Sequence, residues 1–271
     1  MVTIELSVKE FDLLRTLAKE RFGINLSDEK MSLVYSRLNT VVMDLGLNSF
    51  NDYYKYLTKN NDEKALKVFT DRLTTNHTFF MREPKHFDFF KSGVLPFIEK
   101  KYAKQKDARV WCAGCSSGEE AYTLQILLKE HFNNDWDTFL LATDISTKIL
   151  DKAYTGVYDA DRISGLPKEW VKKYFIKQND FNYCVTDEIR KSIIFRYLNL
   201  IDDKYPLKKK VQVIFCRNVM IYFDNETREK IVDKFYNLTE DEGYLFIGHS
   251  ESLNTLRTNY KYVMPAVYRK I

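Results

Sequence analysis

The sequence predicts an α/β protein: a doubly wound sheet preceded by a helical bundle and carrying a small inserted β-hairpin unit. Three observations predict it. Residues 1–75 place apolar side chains at helical spacing with no strand-like run. From residue 109 onward, short apolar runs alternate with helical stretches, the pattern of βαβ units. At the start of that alternation, Arg109-Val-Trp-Cys-Ala-Gly-Cys-Ser-Ser-Gly-Glu-Glu-Ala-Tyr122 reads as a buried strand, a glycine turn and the start of a helix.

The elements follow in order. Ser7-Val-Lys-Glu10 is a capping box, and Phe11, Leu13, Leu14, Leu17 and Ala18 share the face of the helix it opens. Ser27 is placed to cap a second helix with Met31, Leu33, Val34, Leu38, Val41 and Val42, stopped at Gly46. Ser49 opens a third helix, and residues 63–73 make a fourth, which completes a helical domain over residues 1–75. Residues 76–84 interrupt the periodicity. Two phenylalanines, Arg82 and several polar residues replace the Gly, Ser and Lys of an ordinary linker, as expected of a segment that covers a site.

A helix over 85–101 leads into the main domain, 85–271. Its strands are expected at 110–113, 139–144, 193–200, 211–215 and 244–248, with a final antiparallel pair between 260 and 271. Helices are expected at 146–153, 167–175 and 226–237. Residues 182–185 and 189–195 alternate like the two strands of a hairpin, giving a β-subdomain over about 175–192. In such a sheet, ligands bind at the carboxyl ends of the strands. Gly114, Asp144 and the run Arg217-Asn-Val-Met-Ile-Tyr222 all fall at strand ends, so Asn218 and Tyr222 are expected to face one crevice with them.

The turn chemistry narrows the ligand. Gly114 and Gly118 are present, but the third glycine of G-x-G-x-x-G is not, and no G-K-[ST] follows. Glu119 and Glu120 open the helix, where they repel a pyrophosphate and suit a ligand bearing positive charge or free hydroxyls. S-adenosyl-L-methionine, a sulfonium nucleoside without phosphates, meets that description. An ordinary strand-to-helix connection meets it too. Asp144 ends the next strand past the turn, near the spacing of about 20 residues at which such folds place a ribose-binding carboxylate, and also where an aspartate commonly caps the next helix.

Bulk properties exclude other classes. The 271 residues are 45% hydrophobic and 30% charged, with a net charge of +4. No apolar run is long enough to span a membrane and no signal-peptide pattern opens the chain, so a cytoplasmic protein without membrane insertion is expected. Basic residues such as Lys208-Lys-Lys210 form a loop rather than a nucleic-acid-binding module. Cys112, Cys115, Cys184 and Cys216 make no disulfide scaffold, and Cys112-Ala-Gly-Cys115 lacks the second ligand pair of a zinc site, so no metal is expected.

Taken together, Thr74-Thr-Asn-His-Thr-Phe-Phe-Met-Arg82, Cys115-Ser-Ser-Gly-Glu-Glu-Ala-Tyr122, Ala142-Thr-Asp-Ile145, Cys216-Arg-Asn-Val-Met-Ile-Tyr-Phe223 and Gly248-His-Ser-Glu-Ser252 resemble the CheR family, the chemotaxis receptor glutamate O-methyltransferases. The resemblance covers nearly the whole chain. It implies the S-adenosylmethionine-dependent methyltransferase sheet, S-adenosyl-L-methionine as methyl donor with S-adenosyl-L-homocysteine as product, and the cytoplasmic helical bundle of a chemoreceptor as substrate for a monomeric enzyme. It also implies site residues: Asn76, Thr78 and Arg82 over the donor, Glu119 and Asp144 as its carboxylates, and Asn199 and Leu200 beside adenine. Asn218, Val219 and Tyr222 would lie between donor and substrate, with Arg82 and Tyr222 the catalytic pair. Two departures stand out. Ala121 replaces a proline after the paired acids, and 177–184 is short and glycine-free where members tethered to a receptor's C-terminal pentapeptide carry a longer, glycine-containing loop. The expectation is therefore methylation without that tether. Other outcomes consistent with the residues are a methyltransferase for another protein or a small molecule, or a non-catalytic donor-binding module.

Overall fold

The computed structural model describes residues 4–59, 62–74 and 77–271. In the helical domain, α1 (Val8–Phe22) starts at the predicted capping box, with Ser7 Oγ accepting from Glu10 N–H and Glu10 Oε2 accepting from Ser7 N–H at 3.0 Å. It stops at Gly23, whose φ of 72° suits glycine. A 3₁₀ turn, Asp28–Lys30, precedes α2 (Met31–Asp44), and Ser27 makes no side-chain cap bond there, contrary to expectation. α3 (Phe50–Lys59) is opened by Ser49, and α4 (Glu63–Leu73) by Asp62, which accepts from Lys64 N–H. Leu14, Ala18, Val34, Leu38, Val42 and Phe69 are fully buried where the four helices meet.

The helix expected over 85–101 is three segments. α5 (Pro84–Phe89) and α6 (Leu95–Lys101) flank a π turn, Phe90–Val94. Pro96 has no N–H for the Ser92 carbonyl and crowds the turn before it, which breaks the regular ladder. Phe87 and Phe90 pack on Phe215 of the sheet, with ring centroids 6.1 and 5.4 Å apart.

The main domain then runs β1 (Asp107–Ala113), α7 (Glu119–His131), β2 (Asp137–Asp144), α8 (Thr147–Thr155), β3 (Val157–Asp159), α9 (Ala160–Ile163), α10 (Lys168–Tyr174), β4 (Phe175–Lys177), β5 (Asn182–Val185), α11 (Asp187–Lys191), β6 (Ile193–Tyr197), β7 (Val211–Cys216), α12 (Asn225–Leu238), β8 (Thr239–Ile247), β9 (Lys261–Met264) and β10 (Val267–Arg269). Seven strands form one sheet in the order β6-β2-β1-β7-β8-β10-β9, parallel from β6 to β8 and closed by the antiparallel β9–β10 hairpin. Strand order reverses between β1 and β7. That switch point is where a crevice opens at the carboxyl ends of parallel strands.

The inserted unit differs from the expected hairpin. β5 pairs antiparallel with β3 on one side and β4 on the other, while the second expected strand is β6, at the edge of the main sheet beside β2. Residues between them form α11, whose Ile189 is fully buried, so the chain cannot fold straight back. The Asn179 side chain instead accepts from Phe181 and Asn182 N–H and turns β4 into β5.

The helical domain is seated on the strand ends. Lys19 Nζ meets Asp224 at 2.8 Å, Asn25 N–H donates to the Tyr222 carbonyl at 2.8 Å, and Asn199 Nδ2 donates to the Arg21 carbonyl at 2.8 Å. Asp224 also caps α12 through Thr227 N–H, and Lys19 followed by these cap bonds brings its pKa down from 3.8 to about 2. A depressed carboxyl stabilises the fold above its unfolded pKa and loses that contribution as pH falls through the folded one. Asp224→Ala should therefore cost about 1 kcal/mol for the cap at neutral pH. The deficit should shrink between pH 4 and 2, as read from urea melts at each pH; a deficit independent of pH would contradict this assignment.

Candidate active site

The β1–α7 turn is built by close approach. Gly114 has φ 95°, and a Cβ there would lie 2.3 Å from Val219 Cγ2, so glycine lets the β1 and β7 ends come together. Its N–H and that of Cys115 donate to the Thr143 carbonyl at 2.7 and 2.9 Å, and Ser116 N–H donates to Asp144 Oδ2 at 2.9 Å. The turn thus spends these N–H groups on β2 rather than presenting them to a ligand. Asp144 also accepts from Ser146 N–H at 2.9 Å, and Ser146, not Asp144, is the N-cap of α8. Burial raises the Asp144 carboxyl pKa against the pull of these backbone donors. Each oxygen retains a lone pair for a further donor.

Asn199 and Leu200 follow β6. Asn199 Oδ1 accepts from Ile201 N–H while its amide holds α1, which fixes the side chain between the two domains. After β7, Asn218 adopts φ 59° and Tyr222 ends a 3₁₀ turn, Met220–Tyr222. The Glu251 carboxylate, close to buried, accepts from Asn218, Ile221 and Gly248 N–H and ties this loop to the end of β8.

These elements enclose a cleft of about 960 Å³, counting its open mouth. Phe22, Ile24 and Thr74 of the helical domain form one wall, with Thr78, Phe79 and Arg82 of the junction above. Gly114, Asp144, Asn199, Leu200, Asn218, Val219 and Tyr222 line the remainder. Arg82 Nη1 donates to the His77 carbonyl at 2.7 Å, which curls the junction over the opening. Below it, Arg217 is almost completely buried. One guanidinium nitrogen meets Glu120 at 2.7 Å; the other meets Glu83 at 3.0 Å and donates to the Arg82 carbonyl. Desolvation would raise the Glu83 pKa, but Arg217 holds it below the usual carboxylate value.

Two family models match the chain: the CheR methyltransferase all-alpha domain over residues 9–74 and the CheR methyltransferase SAM-binding domain over residues 76–268. The chain belongs to the CheR methyltransferase family. It is 40% identical over 99% of its length, and 96% of the relative's, to the chemotaxis protein methyltransferase of Borreliella burgdorferi. To the chemotaxis protein methyltransferase of Escherichia coli K12 it is 32% identical, over 98% of this chain and 92% of that one. A probable chemotaxis protein methyltransferase of Rhizobium etli is 36% identical, over 92% and 97%.

This CheR-family methyltransferase uses S-adenosylmethionine. The cleft fits that donor. Apolar walls from Phe22, Leu198, Leu200 and Phe223 suit a purine, and a buried carboxylate at the end of β2 suits ribose hydroxyls. Among the described residues no pocket-lining glycine fold or lysine is arranged to cradle a phosphate. Asn76 lies outside the described residues. Glu119 does not line this cleft: its fully buried carboxylate accepts from Ser117 Oγ at 2.6 Å and pairs with Arg162, which also donates to the Thr78 carbonyl. Its neighbour Glu120 lines the cleft instead. No local pattern in the sequence marks Arg217 and Arg162, the two guanidiniums that donate to junction carbonyls from the main domain.

Proposed function

We propose that this enzyme methylates glutamate side chains on the cytoplasmic helical bundle of a chemoreceptor, acting as a monomer. The observation that carries the reading is Arg82 and Tyr222 on the wall of a cleft that also holds Asp144 and Asn199. A glutamate carboxylate, with a pKa of about 4.3, is ionised at neutral pH and needs no general base. When bound, S-adenosylmethionine supplies an electrophilic methyl carbon, which passes to a carboxylate oxygen as its bond to sulfur breaks with the electron pair left on sulfur. The protein's contribution is alignment and exclusion of water.

Arg82 orients the incoming carboxylate. A guanidinium that gripped it too tightly would lower its nucleophilicity, so this residue acts by position. Arg82→Ala should lose on the order of 10²-fold in methyl transfer with its thermal midpoint nearly unchanged, and near-normal turnover would remove Arg82 from the site. The Tyr222 phenol lies beside the path of the methyl group. Tyr222→Phe should lower kcat more than donor affinity; an unchanged kcat would make the phenol structural.

The loop 178–181 between β4 and β5 is closed by its own Asn179 turn, and Phe181 on it is exposed. Its shortness supports methylation without a receptor pentapeptide tether; tight binding of an isolated receptor tail peptide would refute that. Among the described residues no helix is long and apolar enough to cross a membrane, consistent with a substrate reached from outside the bilayer. The test of the reaction is transfer of labelled methyl from S-adenosylmethionine to a purified receptor cytoplasmic fragment. The label should be released as methanol by mild base, as from a carboxyl methyl ester. Base-stable label, or none, would contradict glutamate as the acceptor.

A further inference from the structure

Outside the cleft, on the far side of Arg217, three potential ligands converge: Glu83 at the start of α5, His86 within it, and His249 just past β8. Their donor atoms all lie within 4.8 Å of one another. His86 Nδ1 is 3.4 Å from Glu83 Oε2, His249 Nε2 is 3.9 Å from the same oxygen, and the two rings meet edge to face at 4.5 Å. Ligand atoms around a tetrahedral zinc stand roughly 3.4 Å apart, given Zn–N bonds of about 2.0–2.1 Å. One side of the triangle already has that length, and His249, with a half-exposed side chain, can swing to close the others.

The hydrogen bonding around His86 is what singles this cluster out. The ring is fully buried and has an acceptor oxygen opposite each nitrogen: the Pro265 carbonyl 3.4 Å from Nε2 and the Glu83 carboxylate facing Nδ1. Nδ1 makes no hydrogen bond. A neutral imidazole has a single ring proton for these two acceptors. With that proton on Nε2, donated to Pro265, the Nδ1 lone pair points into the cluster. A metal-bound histidine has this arrangement, its second nitrogen donating to a backbone carbonyl.

We propose that Glu83 Oε2, His86 Nδ1 and His249 Nε2 form a binding site for a divalent transition ion of the zinc class, with water as the fourth ligand on the exposed His249 side. Two imidazoles and one carboxylate are borderline ligands suited to zinc rather than to calcium or magnesium. Glu83 would then lie between the ion and Arg217, whose other contacts, to Glu120 and to the Arg82 carbonyl, stay in place. The site departs from the expectation of no metal, which considered only Cys112 and Cys115. Those thiols are buried, and burial raises their pKa far above the range in which they bind metal readily.

The test is titration of the metal-stripped full chain with Zn²⁺ against a chromophoric chelator, without donor or receptor, so that its outcome is independent of the proposed reaction. One equivalent should bind, and His249→Ala should weaken it on the order of 10²-fold by removing one of three protein ligands. The variant's metal-free thermal midpoint shows whether it is folded. Cys184→Ser and the surface variant His131→Ala should bind as the wild type does, and the Co²⁺ form should lack a thiolate-to-cobalt charge-transfer band. Absence of binding, binding unaffected by His249→Ala, or loss on Cys184→Ser would overturn the site.

Discussion

Arg217→Ala should destabilise the protein by about 3–5 kcal/mol at neutral pH, the cost of breaking a buried ion pair from one side. The Glu83 and Glu120 side chains it joins are only 13% and 15% exposed, so neither carboxylate can turn to water. The variant also loses the donor to the Arg82 carbonyl, which frees the segment above the cleft. Arg217→Lys keeps the charge but has one nitrogen where the native fork uses two, and should recover only part of the loss. The pH dependence separates this account from simple loss of packing. Arg217 holds the Glu83 pKa down in the native protein, a contribution complete above about pH 4.5 and lost below it. In the variant Glu83 is buried without its cation, and protonation relieves its cost. The stability difference should therefore narrow as pH falls from 7 toward 4; a constant difference would assign the loss to packing against Phe87, over whose ring the guanidinium lies.

Asp144→Ala should weaken S-adenosylmethionine binding on the order of 10²-fold, since hydrogen bonds to a charged partner are each worth about 1.5–3 kcal/mol. The substitution also leaves Ser116 and Ser146 N–H without their acceptor, loosening the turn against which the donor lies. Calorimetry with S-adenosylhomocysteine, beside a melt of the same sample, separates lost affinity from lost structure. Wild-type affinity in a folded variant would exclude Asp144 from the donor site.

Local signals made much of this legible in the sequence. The α1 capping box, the Ser49 start of α3, the alternation of strand and helix, and Gly114 at a strand end are properties of neighbouring residues, and the structure keeps them. What the sequence hid depends on distant partners. Glu119 and Glu120 are about 100° apart on the first turn of α7, and nothing local tells which lines the cleft. Arg162 claims Glu119 from 43 residues away and Arg217 claims Glu120 from 97. The pairing within the inserted sheet is hidden for a similar reason: the alternation at 182–185 shows a strand but not its partner, and β3, three residues long, is too short to announce itself. Ser27 fits the cap pattern, yet the 3₁₀ turn after it places the start of α2 beyond reach of its hydroxyl.

The most direct test of the donor site is a crystal structure of the protein grown with S-adenosylhomocysteine. The account predicts adenine against Leu200 beside Asn199, ribose hydroxyls on Asp144, and the thioether sulfur directed toward Tyr222 and Arg82. Density for the ligand at any other place on the chain, or ribose held by Glu119 in place of Asp144, would contradict it.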